Sequence, residues 1–315
     1  MDKKKAVILL LIAGLLWGTS GIFVHYLSPL GFSSIQMTAV RATVSSVFIT
    51  LFMVFKNRAS FRVGLPELWV FISLAATLFF ACFLYYTSIT RTSVCTAVIL
   101  LNVYPVYVTV FSTFLFGERM TWLKASFIGA IVVGCCFISG VVGGLTFDAV
   151  GIVLGLLSGV SYAAYVLLVK FYNRKGIPSS SANLYSFFFM AVIALSVCEP
   201  VSLVKITAQN LMPALPLLIG LGICTFVIPF VLNSKALKVL PAGTASALCV
   251  MEPFSATMYS VLFFDERLDA AKIVGIVLIL GAVVMLGLSE TGERETAEQR
   301  RRFRTHAKKD NLTKV

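Results

Sequence analysis

Apolar stretches about twenty residues long recur along this chain, separated by short polar connections. Twenty residues of helix rise about 30 Å, which matches the hydrocarbon thickness of a bilayer. Inside that layer no water serves backbone N–H and C=O groups, so each crossing segment must pair its own, as a helix does. Composition agrees: 58% of the 315 residues are hydrophobic and 13% are charged, about half the ~25% charge of a soluble domain. A soluble fold of this size has too little interior to hide that much apolar surface. The fold class expected is an all-α integral membrane protein whose first partner is the lipid bilayer.

The apolar periodicity places ten spans, near residues 6–27, 33–55, 67–90, 93–116, 121–142, 149–170, 181–203, 213–239, 241–264 and 270–288. The opening MDKKKAVILLLIAGLLWG reads as a first span rather than a cleaved leader, because the apolar run continues to Leu27 without a small-x-small site. Lys and Arg then set the orientation. With the N-terminus inside, the cytoplasmic segments collect Lys3–Lys5, Lys56, Arg58, Arg62, Arg119, Lys124, Lys170, Arg174, Lys175, Lys235, Lys238 and the whole basic tail. Of the 26 cations, Arg91, Lys205, Arg267 and Lys272 fall outside, and Arg41 lies within a span. This asymmetry places both termini in the cytoplasm. The net charge of +12 is thus a topology signal, and nucleic acid is not an expected partner.

The chain also repeats itself. GLLWGTSGIF from Gly14 matches GLLSGVSYAA from Gly155, and NVYPVYVTVFSTFLFGERMTWLK from Asn102 matches VMEPFSATMYSVLFFDERLDAAK from Val250. In the second pair Pro105 aligns with Pro253, Glu118 with Glu266, Arg119 with Arg267 and Lys124 with Lys272, at a constant offset of 148 residues. Five spans per copy is odd, so the second copy must enter the membrane upside down. The expected organisation is a first five-helix repeat over 1–145, an inverted second over 146–289, and a basic cytoplasmic tail over 290–315. Inverted repeats place a solute site near the midplane and exchange inward-open and outward-open shapes. With no Walker A sequence in the chain, secondary transport is the expected activity.

The 5+5 layout, Arg41 in the second span, the paired mid-span prolines and the GERMT/DERLD pair resemble EamA-type members of the drug/metabolite transporter superfamily. The similarity runs to about Leu288. It implies a ten-helix basket around a central cavity and export of amino acids or other small metabolites. Lys235 departs from the hydrophobic residue usual there in the family.

VMEPF, residues 250–254, sets a carboxylate beside a helix breaker inside an apolar run. Glu252 costs roughly 2.5–3.5 kcal/mol at a helix centre, so it should face the interior. There it holds a proton, recognises an ammonium group, or makes a structural hydrogen bond at the kink. Pro253, like Pro105 after Tyr104, frees a backbone carbonyl and makes a fixed kink or a hinge. Arg41 either anchors a substrate carboxylate through its planar fork, or serves structure by pairing with Glu252 or bonding helix ends. Trp17, Tyr85, Tyr86, Tyr104, Tyr162 and Tyr165 are candidate cavity aromatics, and Asn102 and Asn233 are candidate polar contacts. Lys235 and His25 read as interfacial.

Gly14 and Gly18 in the first span, and Gly151, Gly155 and Gly159 in the sixth, have the four-residue spacing that lets helices approach closely. They mark either the interface between repeats or a homodimer contact, and monomer and homodimer both remain open. The seven cysteines show no metal or disulfide spacing and read as small apolar residues. No cofactor is expected. An embedded enzyme is disfavoured because His25 and His306 stand at opposite ends of the chain, and a receptor because the loops are minimal. The expected function is movement of a small organic solute, an amino acid, related metabolite or drug-like compound. Export is favoured over ion-coupled uptake, with a proton as the candidate coupling ion.

Overall fold

The computed structural model describes residues 2–56, 58–61, 63–116, 121–138, 148–174, 179–236, 239, 248, 251–266 and 268–285. These are overwhelmingly helical, with no strand among them. In chain order the helices are α1 (Lys3–Gly18), α2 (Ser20–Leu27), α3 (Ser34–Lys56), α4 (Leu65–Arg91), α5 (Val94–Leu101), α6 (Tyr104–Phe116), α7 (Trp122–Ile138) and α8 (Ala149–Arg174). They continue as α9 (Ser179–Val197), α10 (Pro200–Gln209), α11 (Leu211–Gly222), α12 (Ile228–Ala236), α13 (Met251–Phe264) and α14 (Ala270–Met285).

Six helical stretches among the described residues are long and apolar enough to cross a bilayer: Lys3–Leu30, Ser34–Phe55, Glu67–Arg91, Val94–Leu115, Ala149–Val169 and Leu211–Asn233. Trp122–Phe137 and Ala270–Met285 are shorter apolar helices. Large apolar side chains face outward over their surface, with Phe114 80% exposed and Val277 65% exposed. Water would penalise such a surface, whereas lipid does not. Residues 241–247, 249 and 250 of the expected ninth span and the expected tail lie outside the described residues.

The expected seventh span, 181–203, is corrected. Its helix stops at Val197, and α10 leaves it at 88°. Pro200 disfavours helical backbone in the residue before it, and Glu199 there takes a left-handed φ of 51°. The turned helix lays Leu203 and Ile206 on the core and leaves Val201 83% exposed.

Small residues bring the two halves of the chain together twice. On α1, a Cβ at Gly14 would stand 2.7 Å from Met251 Cβ, and one at Gly18 would stand 2.8 Å from the backbone nitrogen of Ala256. Ser255 Oγ, in the same seam, donates to the Gly14 carbonyl at 3.2 Å. On α8, a Cβ at Gly155 would meet Leu100 Cδ1 at 2.8 Å, and one at Gly159 would meet the Leu101 and Leu100 carbonyl oxygens at 3.1 and 3.2 Å. Gly151 packs on Thr92 and Arg91, and its carbonyl accepts from Ser88 Oγ at 2.8 Å. The α8 stripe is therefore covered by the chain's own α4 and α5, which removes it as a homodimer face. Gly18→Leu is expected to lose most folded protein, because the Ala256 backbone as well as the Ser255 side chain blocks the added Cβ. Monodisperse yield in detergent reads this, and parental yield would refute it.

Candidate functional site

The fourth stretch breaks after Leu101 and restarts at Tyr104. Pro105, second in α6, has no N–H to return to Leu101, and its ring suits a first helical turn. Asn102 at the break spends its amide on its own helix, donating to the Val98 carbonyl at 2.9 Å. Pro253 holds the corresponding place near the described start of α13 and is buried. Tyr104 and Glu252, one residue before each proline, are thus equivalents in the repeat.

A third proline builds the centre. Pro229 sits inside Leu211–Asn233 and cannot bond the Thr225 carbonyl four residues back. Around that carbonyl the chain winds as a π-helix over Ile223–Val227, a local form that widens the turn and shifts its carbonyls. Thr225 Oγ1 turns back onto the Leu221 carbonyl. The Thr225 carbonyl accepts from Nη2 of Arg41 on α3 at 3.2 Å. Arg41 Nη1 donates to Tyr86 Oη at 2.7 Å and to Cys82 Sγ at 3.7 Å, both on α4. Its guanidinium lies over the Phe226 ring, 4.5 Å from the centroid, and 5.6 Å from that of Tyr86. Arg41 is 7% exposed, and its Nε is enclosed without a partner.

Glu252 is within electrostatic reach of Arg41, Tyr85 and Cys82. It makes no ion pair with Arg41, however: the ion pairs among the described residues are Arg91–Asp148 and Lys272–Glu266. Its carboxylate has no hydrogen-bond partner among the described residues either. Although set deep among protein atoms, Glu252 is only half-buried, and its oxygens, unlike Arg41 Nε, are not enclosed.

The other predicted aromatics form a second group. Tyr104 meets Tyr162 edge-on at 4.8 Å, and Tyr162 stacks on Tyr165 at 5.9 Å. Tyr165 Oη donates to Asn183 at 3.2 Å. Tyr162, Tyr165 and Phe226 all pack on the core cluster that contains Cys82. Trp17 is half-buried on α1, one turn after Gly14, and Asn233 is half-buried on α12. Sequence reasoning missed Cys82, Thr225, Phe226 and Pro229. The mid-span Pro229 was the available signal; the others required knowing which helices adjoin.

One end of the helix bundle carries a separate groove of about 390 Å³, lined by His25, Ile89, Ser93, Phe264 and Glu266 among others. Phe264 lies twelve residues beyond Glu252, roughly 18 Å along the helix, so this groove is not the central site. His25 stacks on Phe264 at 4.0 Å. Ser93 caps α5 by accepting from Thr96 N–H at 3.1 Å and donates to Glu266 Oε1 at 2.7 Å; Lys272 pairs with that oxygen at 3.4 Å. Nearby, Asp148 accepts from Gly151 N–H at 2.8 Å and pairs with Arg91 at 3.1 Å. The Gly151 bond first, then Arg91, holds its carboxyl below the ordinary range.

Comparison with known proteins identifies the architecture. The EamA-like transporter family model matches residues 4–140 and 149–288. An uncharacterized transporter of Archaeoglobus fulgidus is 29% identical over 246 residues, 77% of this chain and 86% of its own length. The uncharacterized transporter YwfM of Bacillus subtilis is 24% identical over 299 residues, 91% of this chain and 95% of its own. A crystal structure sharing 16% identity superposes with a TM-score of 0.58 over 91% of this chain and 98% of that one, and so shares the fold. With the family model covering most of its length, this multi-pass cell-membrane protein belongs to the EamA-like transporter family, within the drug/metabolite transporter superfamily.

Proposed function

We propose that the protein is a secondary transporter that carries a small organic solute out of the cytoplasm by alternating access. The reading has ten spans in two inverted halves, 1–145 and 146–289, with a cytoplasmic tail over 290–315 and both termini inside. One observation carries it: two small-residue seams join the halves reciprocally, α1 against α13 and α8 against α5. Between them Glu252 keeps an unpaired carboxylate in the interior. A rocking exchange needs such paired, closely packed seams, because packed interfaces switch between discrete arrangements. Glu252 is the group we assign to coupling, with a proton as the coupling ion. Pro105 and Pro253 are the flexing points, and Tyr104, Tyr162, Tyr165, Trp17 and Asn233 line the path, whereas Tyr85 and Tyr86, 3% and 0% exposed, back it from the core. Asn102, spent within its helix, has the weakest claim among the proposed contacts.

Orientation provides the test. Arg119→Cys and Arg267→Cys, labelled in intact cells with an impermeant maleimide, are expected to react from opposite faces, Arg267→Cys from outside. Labelling from the same face would overturn the inverted arrangement and alternating access with it.

A further inference from the structure

The central site holds one acid and one base, but their hydrogen-bonding capacity is unequal. Arg41 is committed. Nη1 serves Tyr86 and Cys82, Nη2 serves the Thr225 carbonyl, and Phe226 covers one approach to the guanidinium plane. Its remaining Nε is closed in by protein. A carboxylate is held well by two parallel N–H donors of one guanidinium. Every such pair here includes a nitrogen already engaged by protein or one that no solute reaches. Glu252 is the converse, with no ion pair and no hydrogen bond to its carboxylate among the described residues, on a half-buried side chain whose oxygens are not enclosed. The site therefore offers free acceptors and no free fork of donors.

Resting on the transporter reading above, we infer that the solute is an organic ammonium without a carboxylate, an amine rather than an amino acid. Arg41 and Glu252 offset each other's charge, so net charge does not select between anions and cations. Accessible charged groups do, and here the accessible one is the Glu252 carboxylate, which only accepts. An ammonium supplies N–H donors to the Glu252 oxygens, and its organic part suits the half-buried aromatics of the bundle. An amino acid would bring a carboxylate that finds no free guanidinium fork and faces Glu252. This departs from the amino-acid cargo that the family resemblance implies.

Three matched solutes test the inference: 2-phenylethylamine, phenylalanine and 3-phenylpropionate. They share one ring and differ in which charges they carry. Binding to the full-length protein in detergent is measured by isothermal titration or by thermal-shift stabilisation. 2-Phenylethylamine is expected to bind at least tenfold more tightly than either competitor. Glu252→Gln is expected to remove that preference, while Glu252→Asp retains it; size-exclusion profiles report that both variants are folded. Equal or tighter binding of phenylalanine or phenylpropionate overturns the inference, as does a millimolar amine that fails to bind. Counterflow in proteoliposomes separates this from the parent reading. Amine binding without flux defeats transport but keeps the solute class, whereas flux of the zwitterion or acid keeps transport and defeats the class.

Discussion

Glu252→Gln is expected to lower transport at least about tenfold while leaving the protein at least as stable as the parent. The two effects have opposite signs because they have different causes. A neutral amide no longer carries the cost of a charged side chain at membrane depth, roughly 2.5–3.5 kcal/mol for a helix centre. No ion pair is broken in exchange, since Glu252 has none among the described residues. Function, however, loses a charge-assisted contact of about 1.5–3 kcal/mol, which lowers flux by a factor on the order of 10 to 150. Initial rates in proteoliposomes, with and without a proton gradient, read the first effect. Thermal unfolding in detergent reads the second. A variant that transports like the parent would remove Glu252 from the mechanism; one that melts much earlier would show the carboxylate to be a structural tie at the kink.

Arg41→Ala is expected to act in the reverse manner, with stability lost first. Truncation strands the Thr225 carbonyl and the Tyr86 hydroxyl in a buried site and takes away the cation lying over Phe226. Each stranded group costs about 1–3 kcal/mol, so the melting temperature should fall by many degrees. Arg41→Lys should be intermediate, since a single ammonium does not reproduce a fork that reaches two helices. Pro229 supplies an internal control. Pro229→Ala returns an N–H to the Thr225 carbonyl, so Arg41→Ala should cost about 1 kcal/mol less in that background. Unchanged melting in Arg41→Ala would show that the guanidinium does not hold the π-helical turn. A loss of flux at unchanged stability would restore the reading of Arg41 as a solute anchor.

The opposed signs show how the two intramembrane charges divide their tasks. Both looked alike in sequence, as costly ionisable residues that must face inward. The structure gives one of them hydrogen bonds and contacts on several sides, and leaves the other unpaired. A buried group whose partners are all protein holds the fold together, whereas one left without partners is open to a ligand.

The chain's solvent was fixed by composition: length and spacing of apolar runs leave helices in a bilayer as the only way to satisfy the backbone. The internal match at an offset of 148 residues is likewise a property of the sequence, and it identifies the equivalent prolines. So is the four-residue spacing of Gly14, Gly18, Gly151, Gly155 and Gly159, which announces close approach without saying to what. The partners were decided by tertiary structure alone. Which carbonyl Pro229 frees follows from helix geometry, but that Arg41 fills the gap depends on α3 and α11 being neighbours. The right-angle turn at Glu199–Pro200 was missed because hydropathy runs unbroken through it, and hydropathy reports burial in lipid rather than direction. Whether Arg41 meets Glu252 lay beyond the sequence for the same reason: a pairing between distant segments is settled by packing, and packing gave the guanidinium other partners first.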